Sequence, residues 1–173
     1  ENEKAHAELT RKLQALNTPN PVCRPFSSKI AEISGRKYNV TSGDLSPEMR
    51  SFMGKANTIH AAAFSFDFDS YGCVWNIETL DGKSEAVRVA TYGGRFTNLV
   101  KAPEDQTRLL VASGAWIEED TFEITCRWTE TCLTKKLMFR FDNGSVLVEE
   151  STNSALPFPQ KEEDAIRAEL ASI

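Results

Sequence analysis

The stretch from Thr107 to Thr152 constrains this chain more than any other, because its apolar residues recur at every second position. Phe122, Ile124, Cys126 and Trp128 share one parity, and Thr121, Glu123, Thr125 and Arg127 share the other. Leu137, Phe139 and Phe141 repeat the pattern against Lys136, Met138 and Arg140. A strand sends successive side chains to opposite faces, so this spacing predicts a sheet with one apolar and one polar face. Asn143-Gly144 lies between two such runs and marks a two-residue hairpin, since both positions accept a positive φ. The segment reads as consecutive antiparallel strands and contains no catalytic motif.

The flanking sequence extends the same pattern. Ile33 to Val40 reads as a first strand opened by Gly35, and residues 42–57, with Gly43, Pro47 and Gly54, read as a loop. A strand from Thr58 places Phe64, Phe66 and Phe68 on one face, and Cys73, Trp75 and Ile77 share a face in the next. Asp81-Gly82 predicts another hairpin, and Tyr92-Gly93-Gly94-Arg95-Phe96 a tight reversal. The expected fold is all-β: an antiparallel up-and-down meander of eight to nine strands with short connections. Such a meander has two edges to protect, and closing into a barrel removes them; a sandwich is the alternative. Ala5, Leu9, Leu13 and Leu16 recur at helical spacing, which predicts an N-terminal helix over 1–16. Pro19 and Pro21 stop it, so 17–32 reads as an extended linker, followed by a β-barrel over 33–152. The acidic start and small apolar residues of 160–173 predict a short terminal helix. The whole of 1–173 is expected to form a single domain.

Composition narrows the function classes. The net charge of −5 argues against nucleic acid, whose binding depends on Lys and Arg neutralising phosphates. No apolar run has the length of a bilayer span. The first residue is Glu, and no signal-peptide pattern follows, so we expect a processed product or a piece of a longer protein. Cys23, Cys73, Cys126 and Cys132 form no C-x-x-C pair, and Cys73 and Cys126 fall on apolar faces, the pattern of buried thiols.

Each constellation that suggests chemistry has a plainer explanation. Ser34-Gly35-Arg36-Lys37 has the spacing of a serine–lysine acylation motif, which needs a helix to bring both side chains to one face. Here it runs into Tyr38-Asn39-Val40, a strand pattern in which these positions point apart. Asp67 and Asp69 offer too few oxygens for a calcium or magnesium site, and Glu118-Glu119-Asp120 reads as a charged hairpin tip. Asn39 and Asn143 each begin a glycosylation sequon. His6 lies in the expected N-terminal helix, while His60 shares parity with Phe64 and Phe66 and points into the barrel near one mouth. His60, Phe64, Phe66, Trp75 and Trp128 are therefore the candidates for lining a small-molecule cavity. No catalytic residue, metal ligand or cofactor is assigned.

The order of the blocks carries a resemblance. Ile33 to Tyr38, an F-x-F strand, D-G, Y-G-G-R-F, then Gly114-Ala115-Trp116 with Asp120-Thr121-Phe122, and a strand ending F-R-F-D-N-G follow one another from Leu9 to Glu149. This order resembles the C-terminal β-rich domain of bacterial β-lactamase-like serine hydrolases of the class C and penicillin-binding kind. The resemblance implies a lipocalin-like barrel. It implies a catalytic serine, lysine and tyrosine in a preceding domain that this sequence does not contain, so none is carried over. The chain would then be a non-catalytic accessory domain that packs on or gates an upstream catalytic domain or a neighbouring subunit. A periplasmic or otherwise exported setting is implied with it. Tyr92, Arg95, Phe96 and Trp116 are the candidate contact residues. The alternative is a free-standing lipocalin-like protein that binds a small apolar ligand, and the tail from Gln160 to Ile173 matches nothing in the family pattern.

Overall fold

Alternation decides which side of each strand is dry. Phe122, Ile124 and Cys126 are fully buried and Trp128 nearly so, as are Leu137 and Phe139 on the neighbouring strand. The computed structural model describes residues 3–15, 26–43, 45, 61–101, 107–129, 134–153 and 165–172. Helix α1 (Glu3–Ala15) is followed by the short α2 (Ile30–Ile33). The strands are β1 (Lys37–Ser42), β2 (Ala61–Phe68), β3 (Gly72–Thr79), β4 (Ser84–Ala90), β5 (Phe96–Lys101), β6 (Thr107–Trp116), β7 (Thr121–Trp128), β8 (Thr134–Asp142), β9 (Ser145–Asn153) and β10 (Ile166–Leu170).

The strands run β4-β3-β2-β1-β10-β9-β8-β7-β6-β5 around the sheet, and a further β4–β6 pairing closes it, so nine strands form a barrel and β5 is an addition. Strands consecutive in sequence pair antiparallel except β4 and β5, β10 also pairs antiparallel with β1, and a single parallel bridge joins Ala90 of β4 to Ser113 of β6. Beside that bridge β5 pairs with β6, and the Asn98 side chain spans to β4. Its amide accepts from the Arg88 N–H at 2.7 Å and donates to the Arg88 carbonyl at 2.9 Å, imitating one rung of a ladder. Asn143-Gly144 makes the expected hairpin, with φ of 44° and 90°.

The C-terminal segment departs from expectation. Where a helix was expected over 160–173, residues 166–170 form β10, inserted between β1 and β9. The physical reason is alternation in place of helical periodicity: Ile166 and Ala168 are buried, while Arg167 and Glu169 face outward. Two strand edges awaiting partners outweigh the helix preference of Ala, Glu and Leu. Across the end of the expected 17–32 linker, Ile30–Ile33 is helical, and the first strand starts at Lys37 rather than Ile33. Ile33 instead turns inward and closes one end of the barrel, 2% exposed.

Packing inside the barrel is aromatic. Phe66 lies 5.1 Å from Phe139, 5.7 Å from Phe64, 5.8 Å from Phe122 and 5.9 Å from Phe68, ring centre to ring centre. Gly114 faces this interior, and a Cβ there would stand 2.7 Å from the Phe122 ring, so the close approach requires glycine. The β10 assignment predicts a sharp contrast between adjacent residues. Ala168→Asp should cost about 3 kcal/mol or more, by burying a carboxylate, and Glu169→Lys should stay within about 0.5 kcal/mol, as read by urea denaturation.

Candidate functional site

The aromatic residues expected to line a cavity fill the barrel instead. Phe66, Trp75, Ile77, Val87, Leu110, Phe122, Ile124 and Phe139 have no accessible surface, and Phe64 has 1%. A void able to hold a ligand leaves accessible area on its walls, so these side chains pack against one another as core. Trp128 is also buried, at 4%. The indole N–H groups of Trp75 and Trp116 are buried without a hydrogen-bond partner among the described residues. His60, the remaining member of the set, lies outside the described residues.

Far from α2, the interior turns polar. Lys135 shares parity with Leu137 and Phe139 and points inward, 2% exposed, to meet Glu150 of β9 at 2.6 Å. Both partners take interior positions by simple alternation, Glu150 after Val146 and Val148. That parity was legible, but the charges concealed it. Cys126 sits opposite Lys135 in the β7–β8 register. Burial pushes the Cys126 thiol up to about 12, with Glu150 adding to the rise and Lys135 opposing it. Burial likewise raises the Cys73 thiol, helped by Asp69 and Asp67. Neither thiol has the electropositive, open setting of a nucleophile. Cys23 and Cys132 lie outside the described residues.

The other end of the barrel carries a cap. Glu119 accepts from the Ser28 N–H at 2.9 Å and the Ser28 hydroxyl at 2.6 Å, while the Ser27 hydroxyl donates to the Glu119 carbonyl at 2.5 Å. The acidic β6–β7 tip is thus a clamp for the segment leading into α2, rather than a merely solvated turn. Ser34 belongs to the same cap: its hydroxyl accepts from the Phe68 N–H at 3.0 Å, and the Gly35 N–H donates to the Phe66 carbonyl at 2.8 Å. Lys37 pairs with Glu78 at 2.5 Å on the outside, so the serine–lysine spacing serves docking and a surface ion pair. Asp69 shapes the β2–β3 turn, accepting from the N–H groups of Tyr71 at 2.7 Å and Gly72 at 2.9 Å. Asp67 accepts from the Asn76 amide at 2.7 Å. Among the described residues no group of three or more His, Cys, Asp or Glu side chains is placed to hold a metal ion.

A cleft of about 400 Å³ opens beside the cap, with Phe26, Ile30, Ala31, Phe68, Asp69 and Thr91 among its walls. Tyr92 stands at its rim, 47% exposed, and meets the 68%-exposed Phe26 edge to face at 5.9 Å. Of the four expected contact residues, Tyr92 and Arg95 are exposed. Phe96 is half-buried under the Arg88 guanidinium, 4.6 Å from its ring centre. Trp116 is 1% exposed and packs on Phe122 at 5.1 Å, so it offers no surface to a partner. Phe26 was hidden from sequence reading by its place between prolines and serines, where no period marks it.

Two outcomes test the polar end of the interior. Lys135→Met alone should cost about 3–5 kcal/mol by stranding Glu150, and Glu150→Leu in the same chain should recover most of that loss in denaturant titrations. The raised Cys126 thiol keeps its proton in the folded chain, while the unfolded chain releases it above an ordinary value near 9. Stability that is complete below that value therefore falls as pH climbs toward about 12. The slope is about 1 kcal/mol per pH unit for this thiol, and Cys126→Ala should remove that contribution from the pH profile. No protein-family model, curated protein or solved structure matches this chain.

Proposed function

We propose that the chain is a non-catalytic accessory domain of a β-lactamase-like serine hydrolase, acting through its surface by packing on or gating the catalytic domain or a neighbouring subunit. The observation that carries this reading is the aromatic rim at the capped end, where Phe26 and Tyr92 touch each other and remain largely in water. Covering two such rings contributes about 1.5–3 kcal/mol each, and paired aromatics of this kind anchor interfaces. Tyr71 stands 73% exposed on the adjacent turn, whose carbonyl accepts from the Thr91 N–H. Helix α1 adds a second surface, with Leu9 57% exposed on its apolar stripe. The hydrolase identity itself rests on the order of sequence blocks from Leu9 to Glu149.

A second reading has its own support. The cleft of about 400 Å³ falls within the usual range for small-molecule sites, so an apolar ligand held at the barrel mouth is the alternative to a protein partner. Calorimetry with the catalytic segment encoded upstream of Glu1 separates the two. Saturable binding, weakened about a hundredfold by Phe26→Ser with Tyr92→Ser, supports the accessory domain. An upstream sequence without a Ser-x-x-Lys helix, or affinity indifferent to both substitutions, rejects it.

A further inference from the structure

The turn between β8 and β9 joins a reactive residue pair to a structural duty. Asn143 is the one non-glycine residue at positive φ among the described residues, at 44°, and Gly144 follows at 90°. Asn143 is exposed. Its side-chain amide donates to the Asp142 carboxylate at 2.9 Å. The Gly144 N–H donates to none of the described residues, while the Gly144 carbonyl accepts from the Leu170 N–H at 2.7 Å. Leu170 is the last residue of β10 and pairs with Tyr38 of β1. The tip of one hairpin therefore holds the end of the strand that seals the barrel.

Asparagine before glycine is open to ring closure along its own chain. The Gly144 nitrogen gives its proton to hydroxide and attacks Asn143 Cγ, which closes a five-membered imide, and the side-chain nitrogen leaves as ammonia. Water then opens the imide. Breaking the bond from nitrogen to Cγ yields aspartate with the main chain unchanged. Breaking the bond from nitrogen to the main-chain carbonyl carbon yields isoaspartate, in which the chain runs through Cβ and Cγ. One water enters, one ammonia leaves, and nothing is oxidised or reduced. Glycine has no Cβ to hinder the attack. Asn39, Asn76 and Asn98 instead lie within strands and precede Val40, Ile77 and Leu99, whose side chains crowd the corresponding nitrogen. The Asp142 carboxylate restrains the Asn143 amide, so closure proceeds from the moments when the exposed tip opens.

We propose that Asn143-Gly144 is a self-modification site, which converts to isoaspartate without an enzyme and thereby loosens the end of β10. Isoaspartate lengthens the turn by one main-chain carbon, and a two-residue hairpin has no slack to absorb it. The Gly144 carbonyl then moves off the Leu170 N–H, which loses its acceptor. The new carboxylate also replaces a donor to Asp142 with a like charge. The site is independent of the hydrolase reading.

The test ages the folded chain in warm, mildly alkaline buffer and follows it by peptide mass spectrometry, isoaspartate-specific methyl labelling and amide hydrogen exchange. Residue 143 should gain one mass unit at least about tenfold faster than Asn39, Asn76 or Asn98, with isoaspartate among the products. In the isoaspartate form the Leu170 amide should exchange about tenfold faster than in the fresh chain. Asn143→Gln should abolish the labelling at 143 and the change at Leu170 on the same timescale. Asn143→Asp separates added charge from added chain length and should leave Leu170 exchange within about threefold of the fresh chain. The comparison of fresh and aged chain decides the matter if either variant fails to fold. A residue 143 that changes no faster than the strand asparagines, or an isoaspartate form with unaltered exchange at Leu170, overturns the proposal.

Discussion

The stacking of rings around Phe66 is the interaction on which the rest of the barrel depends. Phe66 reaches aromatic neighbours on its own strand and on β3, β7 and β8, so one side chain ties together opposite walls. Phe64 repeats the arrangement one step along, touching Tyr38 of β1 and Phe139 of β8 at 5.5 Å each. Edge-to-face pairs of this kind add about 0.5–1.5 kcal/mol each beyond their buried area. They also set the bore of the barrel, since walls held this far apart by rings leave no room for a ligand among them. Gly114 is the matching concession on the opposite wall, a missing side chain that admits Phe122.

A filled interior moves any recognition to the outside. Among the described residues two surfaces stand out, the aromatic rim around Phe26 and Tyr92 and the exposed α1. The cap connects the first of these to the barrel's core. Ile33 plugs the end from within, Ser34 holds the last turn of β2, and Glu119 grips Ser27 and Ser28. The rim is thus mounted on a braced support, which keeps its rings in a fixed relation at little entropic cost when they are covered.

Strands with strict parity were readable from residue order, because Phe122 to Trp128 and Leu137 to Phe141 obey a single rule with no competing signal. The barrel itself followed from the need to protect two edges, but the strand that seals it did not. Ile166 to Leu170 contains Ala, Glu, Arg and Leu, whose local preference is helical, and only the partners on either side reveal its strand character. Lys135 and Glu150 occupied readable interior positions, yet a charge at an interior parity is normally taken for a break in the pattern. Phe26 and Tyr92 lie 66 positions apart in sequence, and only the pairing of the capping segment with the barrel end brings their rings together. The candidate site thus depends on pairing, which composition and period do not encode.

Asn98 gives the barrel an uneven circumference. Elsewhere, runs of three to nine paired residues join each strand to its neighbour, the longest of them from β8 to β9. Between β4 and the β5–β6 pair, the joint among the described residues has one main-chain bridge at Ala90, the Asn98 side-chain amide and the Arg88 guanidinium over Phe96. A cylinder with a single thin seam splits along that seam when strained, so the line from Ala90 to Asn98 is where this wall parts first under tension or heat. The rings inside would then meet water from one known direction.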